Sequence, residues 1–358
     1  MRIAWARPRG GYRTASVATR LTIGVSVLAL LLAGAALLSL TVGPVNIPVS
    51  HVAGVILSPF GVDVAEYTRT ERLVIEQLRL PRIIEGALVG GALGVAGATM
   101  QGLFRNPMAD PGIIGVSAGG AVGAVVSIAF GLDGLFLLSL PLFAFLGAMT
   151  AMALVYFIAL AGGRFSVATL LLAGVAVASF LGAVVSAIIV LAPGEDSMRE
   201  IIFWLAGGLD GRTWEHVRAS APLILGGVGV LMLFARDINL LMLGDDEARS
   251  LGVRVGLTRT ILITGSALIT GVAVAFSGTI AFVGLVIPHM LRLVFGPDHR
   301  VLLPVSALGG AVFLVVADTI ARTVIQPAEL RVGIITALVG APFFVFLIIR
   351  NKRQVEAM

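Results

Sequence analysis

Ten apolar stretches, most of them long enough to cross a bilayer, limit this chain more than any other feature. They run at roughly 20–41, 83–104, 113–131, 135–160, 167–192, 217–235, 259–279, 281–295, 302–322 and 333–349, where a span needs about 20 mostly apolar residues. In hydrocarbon each backbone N–H and C=O must find its partner inside the segment, so uninterrupted apolar runs fold as helices. The expected fold class is all-α: a polytopic membrane protein with about ten transmembrane helices, forming one transmembrane domain over residues 1–358. The eighth stretch is short and is expected to be tilted, extended, or next to a broken neighbour.

Composition excludes the other classes. The chain is 58% hydrophobic and 13% charged, where soluble domains carry about 25% charged residues. That much apolar surface does not fit a soluble enzyme or a disordered chain. An outer-membrane barrel would alternate polar and apolar residues. There is no Cys, and His51, His216, His289 and His299 are not spaced as helix-borne metal ligands, so no metal site and no cofactor are expected. No catalytic pair is evident at membrane depth. The GxxxxGK[ST] pattern is absent and Lys352 is the only lysine, so the chain cannot hydrolyse ATP through a P-loop.

The N-terminal 20 residues are basic, and the apolar run that follows, about 20 residues, exceeds the 7–15 of a signal peptide. It reads as a retained first span. Ten spans put both termini on one side. With the N-terminus inside, 16 of the 25 Lys and Arg fall on inner segments and 9 on outer ones. The positive-inside rule therefore places residues 1–19 as a cytoplasmic tail, and both termini in the cytoplasm. The net charge of +5 is then a matter of topology and not of nucleic-acid binding; the long-range partner it implies is membrane lipid.

Between the spans, 51–57, 68–82 and 197–207 read as short helices, with Pro193-Gly194 ending the fifth span and Pro81 suiting entry into the second. The inner segment 236–258 is the longest on its side. Gly244 precedes Asp245, Asp246 and Glu247; Ala248, Arg249 and Leu251 follow; Gly252 is a stop. Acids in front and a base behind suit a short helix. It reads either as a solvated turn or as a docking helix for a cytoplasmic partner.

Asn106, Pro107, Asp110 and Pro111 mark the inner turn after the second span, either as helix terminators or as partner contacts. Pro288 and His289 lie near the inner end of the eighth span, in a structural or a cargo-facing role. Asp318 lies inside the ninth span, four residues before Arg322, so an i,i+4 pair is expected; gating, docking and proton relay are the other readings. Glu85 is expected to pair with Arg82 at i,i+3.

Seven motifs in order carry a family resemblance: RLPR (79–82), GLFRNPMADPGIIGVSAGG (102–120), FWLAGGLDGRTW (203–214), LGDDEARSLGV (243–253), FVGLVIPHMLRL (282–293), GPDHR (296–300) and ADTIART (317–323). Together they resemble the FecCD-type, BtuC-like permeases of ABC importers for iron–siderophore complexes, haem and cobalamin. The resemblance implies a type II ABC importer permease fold working as a homodimer in the inner membrane of a prokaryote. It implies two cytoplasmic ATPase subunits, an extracytoplasmic substrate-binding protein and a metal-chelate substrate, an iron chelate or haem ahead of cobalamin. It also implies that LGDDEARSLGV couples to the ATPase and that Arg79 and Arg322 dock the binding protein. One departure stands out. The family often has Pro before the Gly that opens the last span, where this chain has Arg331. A proton-coupled secondary transporter is the rival reading; it would need a coupling-ion site at the midplane, for which Asp318 is the single candidate.

Overall fold

A computed structural model describes residues 16–62, 64–161, 166–191, 194–325 and 328–356, without the side chains of 347, 348 and 350–356. The basic tail before Ser16, Asp63, Arg164 and Pro193, and the side chains of Arg350, Lys352 and Arg353, on which part of the topology count rests, lie outside the described residues.

Among the described residues there is no strand. The α-helices are α1 (Val17–Thr41), α2 (Val49–Leu57), α3 (Arg69–Leu73), α4 (Leu80–Leu103), α5 (Val116–Ala129), α6 (Ser139–Leu160), α7 (Val167–Leu191), α8 (Glu195–Leu205), α9 (Trp214–Leu233), α10 (Ala235–Leu241), α11 (Asp245–Ser250), α12 (Val255–Ser277), α13 (Val283–Phe295), α14 (His299–Thr323) and α15 (Val332–Glu356). All ten expected spans are helical. Seven helical stretches are long and apolar enough to cross a membrane: α1, the continuous Arg69–Leu103, α6, α7, α9, α12 and α14.

The departures are local. α5 has 14 residues where 113–131 reads as one span, and α13 has 13, as short as the eighth stretch is expected to be; each is about 20 Å at 1.5 Å per residue, short of a hydrocarbon core near 30 Å. Gly115, at φ 85°, separates α5 from a 3-10 turn at Pro111–Ile114. α13 starts after Phe282, itself at φ 68°, and stops at Gly296, at φ 89°. At the second span no helix begins at Pro81. α3, a π-helical segment at Val74–Arg79 and α4 form one 35-residue rod. In π-helical register the Glu76 carbonyl would pair with the N–H of residue 81, which proline lacks. The Trp214 indole Nε1–H fills that role, donating to Glu76 O at 2.8 Å.

α4 is the axis of the bundle, with 19 of its 24 residues buried. Its glycines let backbones touch, as small residues do between membrane helices. Gly90 lies on the Gly310 carbonyl of α14 and Gly97 on the Gly284 carbonyl of α13, each leaving no room for a Cβ. Gln101 completes that contact. Its Nε2 donates to Gly284 O at 3.3 Å and Leu285 O at 3.0 Å. The Gly284 carbonyl is the one Pro288 leaves without its i+4 donor, and the Gln101 amide supplies one. α1 and α7 lie at the periphery and present apolar side chains such as Leu30 and Val190 outward.

Candidate functional site

Charged side chains gather at two opposite ends of α14. At one end Arg82 of α4 binds Asp318 through both carboxylate oxygens, Nε at 3.0 Å from each and Nη2 at 2.8 Å from Oδ1. Its Nη1 donates to Glu329 at 2.8 Å. The expected Asp318–Arg322 pair is present, at 3.3 Å. Asp318 thus sits between two guanidiniums, nearly out of contact with solvent (3% exposed).

Two expectations change at this end. Glu85 does not pair with Arg82. It is buried on the side of α9, where the Ser220 hydroxyl donates to it at 2.8 Å. A bidentate carboxylate on a neighbouring helix holds a guanidinium better than an i,i+3 neighbour can. Arg79 and Arg322, expected as outward docking cations, are both buried. Arg79 donates to the carbonyls of Leu40 and Val45. Arg322 donates to Ser39 O at 3.1 Å and Ser39 Oγ at 2.6 Å. Arg79 ends the π-helical segment, and the last turn of α1 with the loop after it offers carbonyls to both. They nevertheless line, with Arg82, Arg212, Asp210 and Glu329, a cavity of about 420 Å³. Burial lowers the pKa of Arg212, while Glu85 and Asp210 favour its charge. Arg331, the departure noted in the sequence, pairs with Asp210 and lies over the Phe203 ring at 4.2 Å.

At the other end α10 and α11 carry the segment 236–258. Gly244, at φ 147°, is the N-cap of α11, and Gly252, at φ 90°, lies past its end. Ala248 is fully buried, whereas Asp246, Glu247, Arg249 and Leu251 face outward. Arg249 pairs with Asp246 at 2.7 Å. The exposed Leu243, Leu251 and Leu257 flank these charges. Asp245 anchors the helix: Arg105 reaches it at 2.9 Å and Arg259 at 3.0 Å.

Arg105 was invisible as an anchor in the sequence. It stands at φ 50° in the turn after α4 and also donates through Nε to Leu241 O at 2.9 Å. The rest of that turn is local. Asn106 Oδ1 accepts from Met108 N at 3.0 Å, and Asp110 Oδ1 accepts from Gly112 N at 2.7 Å ahead of Pro111. Pro107 lies between them. These bonds are local to the turn, and Arg105 links it to α11. His289, half-buried on α13, joins neither cluster.

No group of three or more His, Cys, Asp or Glu able to hold a metal occurs among the described residues. A helical membrane bundle with a pinned, solvent-facing helix at one end and an arginine-lined cavity at the other has the architecture of a transport permease. The FecCD transport family model matches residues 30–350, and the chain belongs to that family. It is 46% identical over 289 residues to the cobalamin import system permease protein BtuC of Halobacterium salinarum, covering 81% of this chain and 76% of that one. It is 44% identical over 280 residues to the hemin transport system permease protein HmuU of Yersinia pestis, covering 77% and 83%. A solved inward-facing conformation of a metal-chelate type ABC transporter matches with TM-score 0.80 and 33% identity, over 91% of this chain and 98% of that one.

Proposed function

We propose that this chain is the membrane permease subunit of an ABC importer for a large iron chelate, a ferric siderophore or haem, in a prokaryotic inner membrane. The family match across residues 30–350 carries this reading, and relatives named for haem and ferric chelates support the cargo class. Cobalamin is the second reading, favoured by the BtuC relative at 46% identity. The permease works as a homodimer with both termini cytoplasmic. The arginine cavity then faces outward and receives the substrate-binding protein, with Arg79 and Arg322 in its walls. Within the cytoplasmic segment 236–258, the stretch 243–253 around α11 faces two ATPase subunits, whose closure moves α11.

Vesicles carrying the permease, its ATPase and its binding protein are expected to take up ferric siderophore or haem on addition of ATP. Uptake of cobalamin alone would select the second reading. Uptake by the permease alone on a proton gradient would overturn both. Deleting residues 245–251 is expected to leave the protein in the membrane and to abolish co-purification of the ATPase. Retention of the ATPase at wild-type stoichiometry would remove α11 from the interface.

A further inference from the structure

One side chain at the start of α14 has a role that the transport reading does not yet assign. Asn239 projects from α10 onto the two residues where α14 begins. Its Nδ2 donates to Asp298 Oδ1 at 2.8 Å. Its Oδ1 accepts from the His299 backbone N–H at 2.9 Å and from the ring Nδ1–H at 2.8 Å. Both ends of a single amide are therefore spent on one helix start. Asp298 is the N-cap of α14, accepting from Arg300 N at 3.0 Å. Hydrogen bonds from Arg300 lower the pKa of its carboxyl to about 2, so the cap stays charged at neutral and mildly acidic pH. His299 is fully buried, and its ring, together with Ile238 of α10, fills the space that a Cβ at Gly102 of α4 would need.

The contacts that hold α11 differ in kind. Asp245 is about one-third exposed, and it is held by Arg105, which is more exposed, and by Arg259, which is less so; ion pairs open to solvent hold geometry weakly. The amide bonds of Asn239 are part-buried, and two of them close on the fully buried His299 at the start of α14, where they are harder to break. From that start α14 runs without a break for 25 residues, about 37 Å at 1.5 Å per residue, and its far part carries Asp318 and Arg322.

We propose that Asn239 is a positioning residue that makes α10, and the coupling segment after it, move as one body with α14, so that events at the ATPase face and at the arginine cavity are linked through that helix. This rests on the ABC permease reading. A coupling of this kind is reciprocal, and couplings between sites usually amount to about 5–150-fold.

The test uses the complete complex in lipid nanodiscs, with three readouts: assembly with the ATPase, basal ATP hydrolysis, and the stimulation of hydrolysis by the loaded binding protein. Asn239→Leu removes every bond of the bracket, and Asn239→Asp sets a carboxylate against Asp298. Both are expected to assemble and to keep basal hydrolysis, with stimulation falling to near one-fold.

Wild-type stimulation in either variant would overturn the proposal. Failure of both variants to assemble would make the bracket a folding element and would likewise end the coupling role. A wild-type complex showing neither stimulation nor uptake would instead sink the transporter reading on which the proposal stands.

Discussion

Asp318→Ala will destabilise the protein by about 3–5 kcal/mol, the cost of breaking a buried ion pair by removing one partner. The carboxylate is almost wholly buried and serves Arg82 and Arg322 together. Alanine leaves two guanidiniums in a low-dielectric site. Arg82 keeps Glu329, whereas Arg322 is left with the carbonyl and hydroxyl of Ser39. Asp318→Asn preserves the volume and removes the charge, and is expected to fall close to the alanine variant. Thermal unfolding of the purified protein in detergent reads both. Unchanged midpoints would mean that the cluster does not hold α4 to α14, and its place in the wall of the cavity would lose its structural basis.

Gly97→Val will prevent α4 from seating on α13, and Gly34→Val will do almost nothing. The two glycines have the same neighbours in sequence: each stands in an Ala-Gly-Ala triplet within an apolar run. At Gly97 a Cβ would collide with the carbonyl and Cα of Gly284, which are backbone atoms and cannot rotate away. Overpacking a core costs about 1–3 kcal/mol when side chains can shift, and more when they cannot. At Gly34 nothing lies within 4 Å of the same position, so the change is expected to stay within about 0.5 kcal/mol. Yield and monodispersity after detergent extraction separate them. A well-behaved Gly97→Val protein would show that the α4–α13 contact is looser than this geometry.

Much of the fold is legible along the chain because membrane spans are a local property. A run of apolar residues satisfies its own backbone only as a helix, and all ten runs are helical. The short helices α2, α8 and α11 were legible too, from Gly and Pro punctuation and from acids leading bases. Where length was misread, at the third span, the left-handed Gly115 shortens α5, whereas the eighth stretch, read as short, is α13 between Phe282 and Gly296. Apolar composition continues across those points and does not report them. Pro81 pointed to a helix start, and the π-helical lead-in with Trp214 capping Glu76 depends on a residue 138 positions away.

The charged sites were legible as residue types and not as pairs. Spacing found Asp318 with Arg322, since both lie on one helix face. It missed Arg82 as the principal partner, because that contact spans 236 positions. It assigned Glu85 to the wrong neighbour for the same reason. Asp245 was recognised within its motif, whereas Arg105 and Arg259, which clamp it, come from outside α11.

The linear sequence by itself settled that this is a helical membrane protein, which segments are helical, and which family it belongs to, because hydropathy and motif order are written residue by residue. Only the tertiary structure decided which arginine neutralises which carboxylate, that Arg79 and Arg322 turn inward, and which of two like glycines bears a neighbouring backbone. Those outcomes depend on distances between helices far apart in sequence, and packing alone sets such distances.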